Sequence, residues 1–421
     1  MNNKILKRIL GVSVVASSLF LAACGNGEGG ANGDVTLTYS IWDSVQEPGM
    51  QAAADVFNER NDDIHVNVEV TPWDQYWTKL DSSAQGGNMP DIFWMHSNEI
   101  AKYSEGNVLY DLTEAIETGD IDLENYPAEL NELYQVDGKI LGVPKDYGTI
   151  GLWYNKEIFD EAGLDYPNET WTWDDLLENA IELTDEENGV YGFLAPLNRE
   201  EGYHNFIYQN GGQVLSDDKS QSGFRSPETV EAVQWYVDLS TVHGVSPDSG
   251  AFAENSPMSY FQSGRAAMFF QGSWMTGEMA NNEYTNEVAD VTVLPAGNER
   301  ASIFNGLANS ISATTDHPEE AIRFLEFLSS EEGMTLQGQE GGAIPAYAGT
   351  DSSFVEAYPQ FNTQAFLDMM DYGVIKPYSK YTTRWENVEN NALIPVFNGD
   401  ATVKEVADQL VTEVEAVLES E

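Results

Sequence analysis

The sequence predicts an α/β fold spread over two domains, and three observations carry that prediction. Strand and helix patterns alternate through the first third of the chain. One strand, Pro90-Asp91-Ile92-Phe93-Trp94-Met95, is apolar almost throughout, as strands covered on both faces are. The 421 residues, 42% hydrophobic and 11% aromatic, are long for one core, comfortable for two, and too apolar for a disordered chain.

The elements follow in order. Val35, Leu37, Tyr39 and Ile41 alternate with Thr36, Thr38 and Ser40, a strand in a fold that begins at Asp34. Glu47 to Arg60 reads as a helix with Met50, Ala53, Ala54 and Phe57 on one face. Val66, Val68 and Val70 mark a second strand, Trp73 to Ala84 a second helix, and the Pro90–Met95 run a third strand. The middle third is more helical. Thr172 caps a helix over Trp173–Thr184, and Ser226-Pro227-Glu228 opens one running to about Thr241, with Pro at the first helical position. Val291–Leu294 and Ile311-Ser312 read as strands. His317-Pro318-Glu319-Glu320 then opens an amphipathic helix carrying Ala321, Phe324, Leu325 and Leu328. There is no internal repeat.

Ahead of the fold stand Lys4, Lys7 and Arg8, a mostly apolar run from Ile9 to Ala23, and the only cysteine, Cys24. This is the order of a secretory signal, expected over residues 1–23. The run is too short, and too broken by Ser17 and Ser18, for a membrane span. Leu21-Ala22-Ala23-Cys24 resembles the lipobox of bacterial lipoproteins, which implies acylation of Cys24 and a lipid-anchored, extracytoplasmic chain. The alternative is a free thiol in an ordinary signal peptide. Residues 24–33 then serve as anchor and Gly-rich spacer, reaching about 5–6 Å × √n. With Cys24 spent, stability must come from burial and not from disulfides.

The formal net charge is −51, and loss of Lys4, Lys7 and Arg8 with the signal takes it to −54. Nucleic acid is excluded as a partner, because phosphate binding needs clustered Lys and Arg. The acids are spread along the chain, consistent with a highly solvated surface and with a saline or alkaline habitat. The five histidines, His65, His96, His204, His243 and His317, have no metal-ligand spacing. No Walker loop, dinucleotide fingerprint or nucleophile elbow is present. No catalytic residue, metal or cofactor is therefore expected. With 70 acids, paired carboxylates carry no information, so a glycosidase stays open as an alternative.

Aromatic residues recur at strand ends beside small polar ones. Trp42-Asp43 ends the first strand and Trp94 to Asn98 the third. Lys145-Asp146-Tyr147-Gly148 lies between apolar segments, Gly272-Ser273-Trp274 leaves the Met268–Phe270 segment, and Arg384-Trp385 precedes a helix. In open α/β sheets, ligands bind beyond the carboxyl ends of the strands. A ring face beside Asp or Asn suits a sugar, whose C–H face lies on the ring while its hydroxyls bond to polar groups. Each Trp can equally fill a core. Trp235 is assigned to the core, and Trp171 and Trp173 to a helix-entry staple.

Met89-Pro90-Asp91-Ile92-Phe93-Trp94, Gly142-Val143-Pro144-Lys145-Asp146, Trp153-Tyr154-Asn155-Lys156, Trp171-Thr172-Trp173, Gly211-Gly212, Phe261–Trp274 and Gly306–Ala313 follow in turn behind the lipobox. In this order and spacing the chain resembles the extracellular solute-binding proteins of carbohydrate ABC importers, the group that includes maltose-binding protein. The resemblance covers residues 34–421. It implies a periplasmic-binding-protein-like fold of two lobes, 34–146 with 301–344 and 147–300 with 345–421, hinged over an interlobe cleft. It implies aromatic platforms at Trp274 and Trp385, first-lobe contacts at Trp42 and Asp43, and polar contacts at His96 and Asn98. Asp146 and Tyr147 fall at the first crossing, Tyr203 is expected to reach the cleft, and Asn305 and Gly306 lie where the chain re-enters the first lobe. Maltose-binding relatives carry an Asp-Arg pair where this chain has Asn98-Glu99, and a glutamate at the place of Gly148, which puts maltose itself in doubt.

The resemblance implies a monomer on the outer face of a Gram-positive membrane, handing a mono- or oligosaccharide to a permease. Alternatives are a polyamine or glycerol phosphate in the same fold, the phosphate less favoured because arginine is scarce.

Overall fold

A computed structural model describes residues 35–421; the signal sequence, Cys24 and the spacer lie outside the described residues. Two mixed sheets, each with its own core, organise the chain. Strand Val35–Ile41 pairs in parallel with Ile64–Val70 on one side and with Ile92–His96 on the other. Helices Glu47–Arg60 and Trp73–Gly86 make the crossovers, so the first third is the parallel α/β unit that the alternation predicts. The sheet is completed by Leu307–Ile311, antiparallel to Ile92–His96, and by the short Val143–Pro144. Only Leu307–Ile311, which arrives from the second lobe, runs against its neighbours and makes the sheet mixed. Helix Pro318–Leu328 covers one face with the predicted Ala321, Phe324, Leu325 and Leu328, all buried. The Tyr39 and Phe324 rings meet edge to face at 5.5 Å. Each such side chain contributes about 1.5–3 kcal/mol by leaving water.

The second sheet is built around one ten-residue strand, Asp146–Asn155, buried at all but one position. Strands Ala266–Gly272, Ala289–Thr292, Ser302–Asn305 and Ile344–Pro345 all pair with it antiparallel. Tyr191–Leu194 and Gly373–Ile375 extend the edges in parallel. Helix Trp173–Leu183 opens with a capping box between Thr172 and Asp175, and Pro227–Thr241 with Ser226 as cap. Trp171 and Leu176, on either side of the Thr172 cap, are both buried in this core. Trp235 is half-buried, stacked on Phe206 at 5.3 Å and against Trp173 at 4.8 Å. Arg384 and Trp385 do not precede a helix; they lie inside Thr382–Phe397, whose start has no side-chain cap to announce it.

The chain passes between the lobes at three places that converge on Lys145. Its N–H donates to the Leu307 carbonyl at 2.8 Å and its carbonyl accepts from Ala346 at 3.2 Å. The Asp146 carboxylate accepts the Leu307 N–H at 2.8 Å. Gly306 is required at the second crossing, where a side chain would collide with the Asp146 carbonyl. Residues Ser302–Asn305, expected in the first lobe, hydrogen-bond into the second sheet, so that crossing falls at Gly306.

Candidate functional site

The site begins at the carboxyl ends of two neighbouring parallel strands. Val35–Ile41 delivers Trp42 and Asp43, and Ile92–His96 delivers His96, to the same edge of the first sheet. The Asp43 carboxylate accepts the Val45 N–H at 2.8 Å and the Gln46 amide at 2.9 Å, shaping the turn into helix Glu47–Arg60. Trp42 stands edge-on against Trp94, Trp73 and Tyr76 at 5.0–5.2 Å. Trp73 carries this aromatic wall outward, 5.9 Å from His96 and 48% exposed.

The facing wall comes from the second lobe. Trp274 leaves strand Ala266–Gly272 and packs over Gly148 and Gly272, where any Cβ would strike its ring. Gly148, the departure from the maltose-binding pattern, is thus what lets Trp274 lie against the crossing strand. Glu200 and Glu201 project from the turn Arg199–Tyr203, which Asn198 caps by accepting the Glu201 N–H at 3.1 Å. The Asn198 amide also donates to the Glu201 carboxylate at 2.7 Å, and Lys376 pairs with Glu200 at 2.7 Å.

Between the walls lies a cavity of about 530 Å³, within the ~300–1,000 Å³ range of small-molecule sites. Trp42, Asp43, His96, Asp146, Tyr147, Trp274, Asn305 and Gly306, eight of the residues expected from sequence, line it together. A second cavity of about 500 Å³ shares Trp73, His96, Glu200 and Glu201 with the first and is lined further by Trp77, Asn98, Lys376 and Glu386. The two form one interlobe cleft with a waist.

Three expected residues stand apart. Asn98 lines only the second cavity, where its amide donates to Glu386 across the cleft at 3.1 Å. Tyr203 is fully buried in the second lobe, edge-on to His204 at 4.9 Å. Trp385 is 1% exposed, donates to the Ser379 hydroxyl at 3.0 Å and belongs to the second-lobe core, so it is no platform. Sequence reasoning missed Trp73, Glu200, Glu201, Lys376 and Glu386. Trp73 had a signal, since it follows the second strand much as Trp42 follows the first.

Burial tunes the polar groups at the waist. Burial, with nearby Lys376, pushes the His96 imidazole down to about 3. Because its Nδ1 accepts the Asn98 N–H at 3.1 Å, the neutral ring carries its proton on Nε2. Burial, reinforced by the Glu200 charge, pushes the Glu201 carboxyl up to about 7. Burial is the largest single influence on Glu200 and opposes its ionisation, but the Lys376 charge and hydrogen bond, together with smaller contributions from His96 and the Asn305 amide, hold that carboxyl below the usual range. The cleft therefore offers ring faces, a neutral imidazole donor, amides and carboxylates of different proton affinity. Such a set holds a polyhydroxylated ligand by many directed hydrogen bonds. Among the described residues, no group of three or more His, Cys, Asp and Glu is placed to hold a metal ion, and no helix is long and apolar enough to cross a membrane.

Residues 42–335 match the family model described as bacterial extracellular solute-binding protein. The arabinooligosaccharide-binding protein of Bacillus subtilis is 25% identical over 344 residues, 76% of each chain. The maltodextrin-binding protein MdxE of the same organism is 24% identical over 348 residues, 80% of each chain. Among solved structures, the ABC substrate-binding protein Lmo0181 from Listeria monocytogenes, in complex with cycloalternan, superposes with a TM-score of 0.84. It is 27% identical, and the match covers 92% of this chain and 99% of that one.

Proposed function

The chain belongs to the bacterial extracellular solute-binding protein family, and from that premise we propose that it captures a sugar in its interlobe cleft for an ABC importer. One observation carries the reading: Trp42 and Trp73 of the first lobe and Trp274 of the second line one cavity with Asp43, His96, Glu200 and Glu201 between them. Ring faces take the apolar faces of a pyranose or furanose, and the polar groups take its hydroxyls. The relatives named for oligosaccharides support the same ligand class.

In this proposal the chain acts as a monomer, anchored by lipid on Cys24 to the outer face of the cell membrane. The lobes, 34–146 with the segment after Gly306 to 344 and 147–305 with 345–421, close over the ligand by bending at the crossings beside Lys145. Closure gives the permease a shape to recognise, because ligand shifts the equilibrium toward the closed form. The chain performs no chemistry on its ligand.

Isothermal calorimetry and thermal shift against arabinose, glucose, galactose and mannose and their oligomers test the reading, since a ligand bound only by the folded state raises its melting point. Binding of a sugar recovered unchanged after denaturation supports it; turnover would make the protein a glycosidase. Spermidine belongs in the same panel, because Glu99, Glu200, Glu201 and Glu386 all line the second cavity. Glycerol phosphate has less support, since Lys376 and Arg199 are already paired with carboxylates.

A further inference from the structure

The larger cavity carries more negative charge than the cations around it neutralise. Four acids line it, Asp43, Asp146, Glu200 and Glu201, and among the described residues none of its lining is a lysine or an arginine. Two of the four are neutralised from behind. Lys145 pairs with Asp146, and Lys376 with Glu200 at 2.7 Å. Arg199, in the adjoining cavity, is engaged by Glu386, 3.5 Å from its carboxylate and 3.3 Å from its carbonyl. His96 stays neutral and adds no positive charge. Asp43 of the first lobe and Glu201 of the second remain. Among the described residues, no cation lies within ion-pair distance of either.

Their neutral partners do not replace a cation. Asp43 accepts the Val45 N–H and the Gln46 amide, and Glu201 accepts the Asn198 amide. Acids on the outer surface keep their water, but a carboxyl held inside a cleft loses part of it. Burial, with Glu200 beside it, pushes the Glu201 carboxyl up to about 7, the mark of a charge that the protein itself leaves uncompensated. A second observation is independent of the acids. Trp42, Trp73 and Trp274 line the same cavity, and an indole face attracts a cation as well as the C–H face of a sugar ring. The hydroxyls of a neutral sugar would bond to Asp43 and Glu201 without answering their charge.

Resting on the sugar reading above, we propose that the ligand is an amino sugar, its ring held by the tryptophans and its ammonium taken by Glu201, with Asp43 on the facing wall adding to the attraction. The three indoles separate this ligand from a polyamine, which has no ring to lay against them. The same charge balance repels a uronic acid.

Calorimetry at pH 7 on matched sets tests this. Glucosamine, galactosamine, mannosamine and the β-1,4 dimer of glucosamine are each compared with the neutral sugar of the same skeleton, with glucuronic acid and spermidine alongside. In the set that binds, the amine should bind about tenfold or more tighter than its neutral counterpart. Glu201→Gln should bring that ratio to within about twofold. Should that variant not fold, Asp43→Asn tests the same charge from the other lobe and should lower the ratio about threefold or more. A neutral sugar binding as tightly as its amine, or a ratio that survives Glu201→Gln, would overturn the amino-sugar proposal and leave the sugar reading standing. If spermidine alone binds, or nothing in these sets or the neutral panel does, the underlying reading falls and this proposal with it.

Discussion

The ammonium of Lys145 lies 4.1 Å from the centroid of the Trp94 ring, with no exposure to solvent. A lysine is almost never buried so completely unless it is paired. Here it donates to the Gln46 side chain at 3.0 Å and to the adjacent Asp146 carboxylate, while Asp146 accepts the Leu307 N–H. The cation thus ties the entry to the first helix, the first crossing and the second crossing into one unit. Removing it would strand a carboxylate at the pivot. Lys145→Met is expected to cost about 3–5 kcal/mol, the usual penalty for breaking a buried pair from one side. Urea unfolding measures this, and a loss under 1 kcal/mol would show that the pair is not holding the crossings.

Gly148 sits under Trp274. A Cβ there would come within 2.5 Å of the Ser273 hydroxyl and 2.9 Å of the indole. Gly148→Ala must therefore push the ring away from the crossing strand. The expected result is a loss of about tenfold or more in sugar affinity. Because the nearer clash is with the buried Ser273 hydroxyl, a loss of about 1–3 kcal/mol of stability should accompany it. Unchanged affinity would mean that the ring's position does not matter to the ligand.

The Glu201 carboxyl, pushed up to about 7 first by burial and then by Glu200, is protonated more readily in the folded chain than in the unfolded one. Its contribution to stability is full below the ordinary carboxylate range and is lost as pH rises through about 7. Glu201→Gln should therefore gain on the parent protein between pH 5 and pH 8.5, whatever the rest of the acidic surface does to both. Denaturant midpoints that stay parallel across that interval would contradict the assignment.

His96 slopes the other way. Burial first, then Lys376, holds the ring neutral down to about pH 3, so its contribution is full above the ordinary imidazole range. That contribution is lost as pH falls toward 3. His96→Gln should accordingly be less pH-sensitive than the parent between pH 6.5 and pH 4. Ligand affinity of the parent should show no histidine step near pH 6.5. An NMR titration giving His96 an ordinary midpoint would refute this.

The first sheet's parallel strands and most of the cleft could be read along the chain because strand ends and turns are local features, whereas the central strand of the second sheet, Asp146–Asn155, could not. Trp42 follows a strand whose pattern is plain and His96 closes another, Trp274 leaves an apolar segment, and eight expected residues share one cavity. What could not be read depends on distant packing. Glu200 and Glu201 are two acids among 70, and only the fold singles them out by placing them against Lys376. Tyr203 lies in the same turn but points into the core, a difference of side that an irregular turn does not reveal. Trp385 was misplaced by a boundary. The helix begins at Thr382 without a capping signal, which turns the indole inward.

That boundary separates two tryptophans that sequence treats alike. Trp274 is partly exposed in the cleft, and Trp385 is sealed in the second lobe with its indole N–H on Ser379. Trp274→Ala removes a ring face from the ligand and should cost about 2 kcal/mol of binding, over tenfold in Kd, with a modest change in melting point. Trp385→Ala instead opens a hole in a packed core and should cost about 3–5 kcal/mol of folding stability. Whatever fraction of Trp385→Ala remains folded should bind sugar within about threefold of the parent, since no atom of that ring lines either cavity. Calorimetry on the folded fraction, paired with thermal unfolding of both variants, separates the two roles. A binding defect in Trp385→Ala as large as that of Trp274→Ala would return the residue to the cleft.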